Sequence, residues 1–344
     1  MSPLAKLREG IFVPACPLTL HEDGRWSKRH QRALLRYYIE SGIGGLAVGV
    51  HSTQFAIRDP KHGLYEPLLE FASQTLDEFQ DAQQPPLVKI AGVCGETSAA
   101  LHEVELARQY DYHAALLSLP KSVSHTEESL LEHCRSIAAE IPVIGFYLQP
   151  AVGGRMLSYD FWRAFAEIEQ VVAIKIAPFN RYQTLDVIRA VMEHQRFDIA
   201  FYTGNDDSII FDLITPWNFA GQTRWMDGGL LGHWGVWTRP AVELFAAIRR
   251  DRHCPDKLQM WLQLAPQVTD LNAALFDPAH QFSGCIPGIM EVLRRNGLAP
   301  SNRCLDPAER LSPGQQAELD RVEQAYPNLV DNHWIQENLS RWLS

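Results

Sequence analysis

Val171-Val172-Ala173-Ile174-Lys175-Ile176-Ala177 is a run of apolar, mostly β-branched residues interrupted by one lysine. Such a run reads as a strand buried on both faces, as in a parallel sheet. An unpaired ammonium inside it costs roughly several kcal/mol unless the proton is shed. A neutral amine in a dry pocket is a nucleophile toward a carbonyl. The Schiff base it forms draws electrons from the neighbouring carbon without a metal. The plain alternative is an interior lysine paired with a carboxylate from the next strand.

Outward from this run, short apolar segments alternate with longer amphipathic ones. The strand candidates are Ile11–Ala15, Gly45–Val50, Leu87–Gly92, Ala114–Leu119, Pro142–Leu148, Val171–Ala177, Ile199–Thr203 and Trp225–Leu231. Between them, segments such as Lys28–Ser41, Thr97–Gln109, Glu127–Glu140 and Tyr182–His194 carry apolar residues at helical spacing, and Thr97, Thr126 and Ser158 are candidate caps. This alternation over roughly 250 residues predicts a (β/α)8 TIM barrel, with its active site at the C-terminal strand ends. A doubly wound sheet would carry a glycine-rich turn after its first strand, and Pro14-Ala15-Cys16-Pro17 is not one. After Asp251 the pattern is helical only, over Lys257–Leu275, Gly288–Asn296, Pro313–Ala325 and Asn332–Leu343. The expected division is a catalytic barrel, 1–251, and a C-terminal helical appendage, 252–344.

Composition narrows the partners. The 344 residues are 46% hydrophobic and 21% charged with a net charge of −10, which suits a globular chain and opposes nucleic acid or an anionic membrane. Six scattered cysteines with no C-x-x-C pair suggest reduced thiols rather than zinc or disulfides. The N-terminus has no signal pattern, and no apolar stretch is long enough to span a bilayer, so a cytoplasmic protein is expected.

Chemistry-bearing residues fall at the ends of the predicted strands. Tyr147, in Tyr147-Leu148-Gln149-Pro150, stands next in barrel order to Lys175 and could move protons to and from substrate oxygens; a core tyrosine bonded to backbone is the alternative. The second strand runs into Val50-His51-Ser52-Thr53-Gln54, a turn suited to a carboxylate. The seventh ends at Thr203-Gly204-Asn205-Asp206-Asp207, and the eighth leads into Gly232-His233-Trp234-Gly235.

Together Ile174-Lys175, the Tyr-x-x-Pro element, the turn after strand two and Gly204-Asn205-Asp206-Asp207 resemble the dihydrodipicolinate synthase and N-acetylneuraminate lyase family of class I aldolases. The order of these elements matches, as does the spacing of 28 residues from Tyr147 to Lys175. The resemblance covers roughly residues 8 to 300. It implies a barrel with C-terminal helices, a homotetramer built as a dimer of dimers, and a Schiff base with pyruvate or another 2-oxo acid. Lys175 is then the Schiff-base lysine and Tyr147 the proton relay. His51 and Ser52 hold the keto-acid carboxylate, or Ser52 and Thr53 if the alignment shifts by one. Gly204, Asn205, His233 and Trp234 complete the expected substrate contacts, the last two narrowing the mouth.

Departures from the family pattern bear on the substrate. His51 replaces a hydroxyl, Arg155 lies about three positions later than the arginine that holds a second carboxylate in the synthases, and Ser118-Leu119-Pro120-Lys121-Ser122 lacks their intersubunit tyrosine. The lysine-pathway synthase reaction is therefore not expected. The expected activity is that of a Schiff-base carbon–carbon lyase, or a synthase, joining a 2-oxo acid to an unidentified aldehyde or sugar acid. It needs no cofactor or metal. A 2-keto-3-deoxy sugar acid dehydratase using the same lysine is one alternative, and a catalytically altered ligand-binding protein is another. A metal-dependent hydrolase would need three ligands at strand ends, and His113 lies at a strand start. Trp217, Trp225 and Trp237 read as packing residues, and helix His102–Gln109 and the acidic Glu318–Glu323 as solvated or interface faces.

Overall fold

The computed structural model describes residues 1–81, 85–119 and 125–344. Eight parallel strands follow the predicted runs: β1 Phe12–Pro14, β2 Gly45–Val48, β3 Val88–Val93, β4 Ala114–Ser118, β5 Val143–Leu148, β6 Val171–Ala177, β7 Ala200–Thr203 and β8 Gly228–Leu231. Each pairs with its sequence neighbour, β8 pairs with β1, and a bridge between Ala15 and Ala47 closes the ring. The result is a (β/α)8 barrel. The eighth strand starts at Gly228 rather than Trp225, and a small antiparallel hairpin, Trp217–Phe219 with Gln222–Arg224, precedes it.

Side-chain alternation divides the apolar residues into two layers. Val13, Ala47, Ile90, Leu116, Ala173 and Leu230 fill the barrel interior. Leu46, Ile174 and Ile176 face outward against helices such as Tyr159–Ala166, which contributes Trp162 and Phe165. Helices Lys28–Ser41 and Thr97–Gln109 lie where the sequence puts them. Thr126 and Ser158 cap their helices as expected, whereas Glu96 occupies the cap position before Thr97. Helix Thr97–Gln109 is not wholly solvated: its Glu103 is buried and clasps Arg58.

The short helix Pro3–Glu9 was not legible in the sequence. It carries Leu7 into the barrel-interior cluster, and the Leu7 carbonyl accepts the Tyr202 hydroxyl at 2.6 Å. After Asp251 come helices Pro255–Phe276, Cys285–Arg295, Gln315–Ala325 and Asn332–Leu343. The last lies along Lys28–Ser41, where Trp342 meets Tyr37 with ring centroids 5.6 Å apart, and the Tyr37 hydroxyl donates to Asp331. None of the described helices is long and apolar enough to cross a membrane.

Candidate active site

Lys175 points into the barrel, in register with Phe146 on β5 and Tyr202 on β7. It is buried, yet among the described residues its Nζ has no hydrogen-bond or ion-pair partner and rests 4.3 Å from the Phe146 ring centroid. Burial lowers the ammonium's pKa, opposed by the charge of Asp206. Another buried lysine, Lys89 on β3, shows what a structural lysine looks like: its Nζ donates to Ser73 at 2.8 Å and to Asp77 at 2.7 Å. Gly204 makes room for Lys175, since a Cβ there would stand 2.7 Å from the lysine Cε and 2.7 Å from the Ala177 Cβ.

The amine opens on a cavity of about 60 Å³, room for a few waters or a small acid. Its polar lining comes from His51, Ser52, Gln149, Lys175 and Asp206. Phe146, Leu148, Val152 and Phe179 supply apolar wall from the barrel, and Phe276, Phe282, Cys285 and Ile289 supply it from the segment beyond Asp251. The Ser52 hydroxyl donates to the Ala15 carbonyl at 2.9 Å, and burial together with the Lys175 charge pushes His51 down to about 4, so its ring is neutral. Burial raises the Asp206 carboxyl, whose Oδ1 accepts the His233 backbone N–H at 3.0 Å. A buried carboxyl and a buried lysine sharing a strand-end cavity of a barrel form the kind of pair that functional sites use.

Five expected contacts lie elsewhere. Tyr147 faces outward, because the parity that brings Phe146 to Lys175 turns the next residue away. Its hydroxyl donates to the Leu157 carbonyl at 3.2 Å and accepts the Leu157 N–H at 3.3 Å, while its ring packs on Trp162. Thr53 braces its own turn, donating to the Cys16 carbonyl and accepting the N–H groups of Gly49 and Val50. Asn205 binds Thr184 and Asp212, and its Oδ1 accepts the N–H of Phe179, a residue held at φ 51°. His233 Nδ1 meets Asn272 at 2.5 Å, and Trp234 stacks on Phe12 with centroids 3.8 Å apart. These residues support the cavity without lining it, and the mouth is not narrowed by His233 or Trp234. Trp217 and Trp237 are buried in the same core cluster, as expected of packing residues.

Arg155 lines a second, neighbouring cavity of about 350 Å³ with Cys94, Glu96 and Ser118. Phe146 and Leu148 contribute to both and so separate them. The expectation about an intersubunit tyrosine rests partly on Pro120, Lys121 and Ser122, which lie outside the described residues.

The profile of the dihydrodipicolinate synthetase family matches residues 9–215. This chain belongs to that family. Its relatives are aldolase-type lyases. The chain is 24% identical over 307 residues to a 4-hydroxy-tetrahydrodipicolinate synthase of Bifidobacterium longum (strain DJO10A), covering 87% of this chain and 92% of the relative. It is 23% identical over 324 residues to N-acetylneuraminate lyase 2 of Escherichia coli O6:H1, covering 93% and 94%. Among solved structures, a prophage protein of Escherichia coli K12, a family member in complex with pyruvate, superposes with a TM-score of 0.73 at 18% identity, over 92% of this chain and 98% of that one.

Sequence reasoning quoted Asp206 without assigning it, and it missed Phe146 and the C-terminal wall. Alternation from inward-facing Tyr202 was a usable signal for Asp206, since it puts Gly204 and Asp206 inside and Asn205 outside. Nothing in the sequence marks Phe276, Phe282 or Ile289 as cavity residues, because only tertiary packing brings this C-terminal segment to the barrel mouth.

Proposed function

We propose that this family member is a Schiff-base-forming carbon–carbon lyase or synthase acting on pyruvate or another small 2-oxo acid. One observation carries the reading: Lys175 is buried at a strand end, without a hydrogen-bonding partner among the described residues, and opens on a cavity. The lowered pKa raises the fraction of neutral amine able to attack C2 of the acid. Neutral His51 offers its ring N–H to the carboxylate, Ser52 beside it does so by releasing the Ala15 carbonyl, and the iminium then serves as the electron sink. The pyruvate complex of the solved relative is consistent with such a ligand.

The second reactant is an aldehyde with little charge. No arginine lines the Lys175 cavity among the described residues, and Asp306 and Glu309 line the adjoining vestibule, where they repel a second carboxylate. Phe146, Phe179, Phe276 and Phe282 give the small cavity a broad apolar wall, which suits an aldehyde with an apolar face. The lysine-pathway synthase, whose second substrate carries a carboxylate, fits less well. The assembly proposed is the homotetramer implied by the family resemblance.

Deuterium exchange at C3 of pyruvate in heavy water, followed by proton NMR, tests enamine formation. Exchange catalysed by the wild type and lost in Lys175→Ala is expected. Equal exchange by both proteins would contradict the assignment.

A further inference from the structure

We propose that Asp206 transfers the protons in this site, in the place of Tyr147. The inference rests on the Schiff-base reading of Lys175 and concerns which group serves it.

Tyr147 is excluded by geometry. It lies on the outer face of β5, both sides of its hydroxyl are engaged by the Leu157 backbone, and its ring is 5.1 Å from that of Trp162. Bringing it to Lys175 would mean turning β5 over and burying Phe146 among the helices. Within the cavity, few side chains can carry a proton. Ser52 is a poor acid whose hydroxyl is already donated to Ala15, and burial pushes the Cys285 thiol far up. His51 is held neutral by burial and by Lys175, so it has no proton to give as an imidazolium. That leaves Asp206. The His233 N–H fixes its carboxyl at 3.0 Å, and the Asn272 amide grips its backbone carbonyl at 2.6 Å, so the group is aimed at the cavity from a rigid base. The ionisable groups around it are Lys175 on β6, Asp207 beside it, and Cys285 on helix Cys285–Arg295; the His233 ring is turned to Asn272. Burial holds the carboxyl's pKa near neutrality, where an acid and its conjugate base are both populated.

In the reaction, the Lys175 lone pair attacks C2, and the carbonyl oxygen takes the proton of the Asp206 carboxyl. The carbinolamine nitrogen returns a proton to Asp206, which passes it to the C2 hydroxyl. The C2–O bond breaks, water leaves, and the nitrogen lone pair closes the iminium. In the cleavage direction, the Asp206 carboxylate removes the proton of the C4 hydroxyl. The C3–C4 pair moves into a C2–C3 double bond as the aldehyde departs, and the enamine recovers the proton at C3. No oxidant or reductant is required.

The test compares Asp206→Asn, Asp206→Glu and Tyr147→Phe by deuterium exchange into pyruvate across pH, alongside the borohydride-trapped adduct. The expected result is exchange slowed by about 10²-fold or more in Asp206→Asn. Trapping on Lys175 persists at a lower rate, the pH profile of Asp206→Glu is displaced, and Tyr147→Phe stays within a few-fold of wild type. Exchange by Asp206→Asn at the wild-type rate overturns the proposal, as does an unmoved profile in Asp206→Glu should the asparagine variant not fold. A loss confined to Tyr147→Phe overturns it as well. A wild type that forms no adduct refutes the Lys175 reading instead, so the two failures are distinguishable.

Discussion

Gly204→Ala adds one methyl group to the wall behind the lysine, and its consequence can be worked from distances. The new Cβ would lie 2.7 Å from Lys175 Cε, 3.1 Å from Lys175 Cγ and 2.7 Å from Ala177 Cβ. Unstrained carbon contacts begin near about 3.5 Å, so the neighbours must part by most of an ångström. Gly204 is not among the glycines with positive φ, so the backbone accepts alanine and the whole cost is local. The Ala177 Cβ is fixed to β6 and yields little, whereas the end of the lysine chain is unbonded and yields first. Overpacking of this kind costs about 1–3 kcal/mol. A displacement of about 1 Å at a reacting group costs on the order of 10²-fold in rate. The variant should therefore lose modest stability in urea and far more of its rate of borohydride-trapped adduct formation. Trapping at the wild-type rate in a folded Gly204→Ala protein would show that the amine does not occupy this place against β7.

The remaining predictions concern charge and packing around the same cavity. Lys175 is lowered from 10.5 to about 8 by burial, so between those values the unfolded chain binds more protons than the folded one. Wild-type stability should therefore rise with pH across that window, and Lys175→Met, more stable below about pH 8, should lack the rise; parallel urea melts from pH 7 to 10.5 check this. Lys89→Met should cost about 1 kcal/mol, since exposed Asp77 regains water, and should leave deuterium exchange into pyruvate intact. Asn205→Ala removes the acceptor that holds Phe179 at φ 51° and leaves buried Asp212 short of a donor. A loss of about 1–3 kcal/mol, with a raised KM for the 2-oxo acid, is expected from melts and steady-state kinetics.

The barrel was legible because its strands are apolar on both faces, and short continuous apolar runs alternating with segments of helical spacing have few other readings. Lys175 and Lys89 show where legibility ends. Both interrupt apolar strands, and only the position of Ser73 and Asp77 in space tells the paired lysine from the unpaired one. Tyr147 was misplaced for a more specific reason. Between β5 and β6 the register slips, with Val143 opposite Val171 but Ile144 opposite Ala173, so one residue of β6 has no partner. An extra residue reverses which faces meet across the pair, and a spacing counted along the chain cannot register it. Ser52 and Thr53 differ in the same way: adjacent hydroxyls on one turn both donate to backbone carbonyls, and only Ser52 lines the cavity. His233 and Trp234 were expected to narrow the mouth, yet Asn272 and Phe12 claim them.

The central claim is that Lys175 forms a Schiff base. Incubation with pyruvate and sodium borohydride, followed by intact mass and peptide mapping, addresses it directly. One reduced adduct per chain, mapped to Lys175 and absent from Lys175→Ala, is the expected result. No adduct with pyruvate or a panel of longer 2-oxo acids, or an adduct carried by another lysine, would contradict the account and favour a family member that binds ligands without this chemistry.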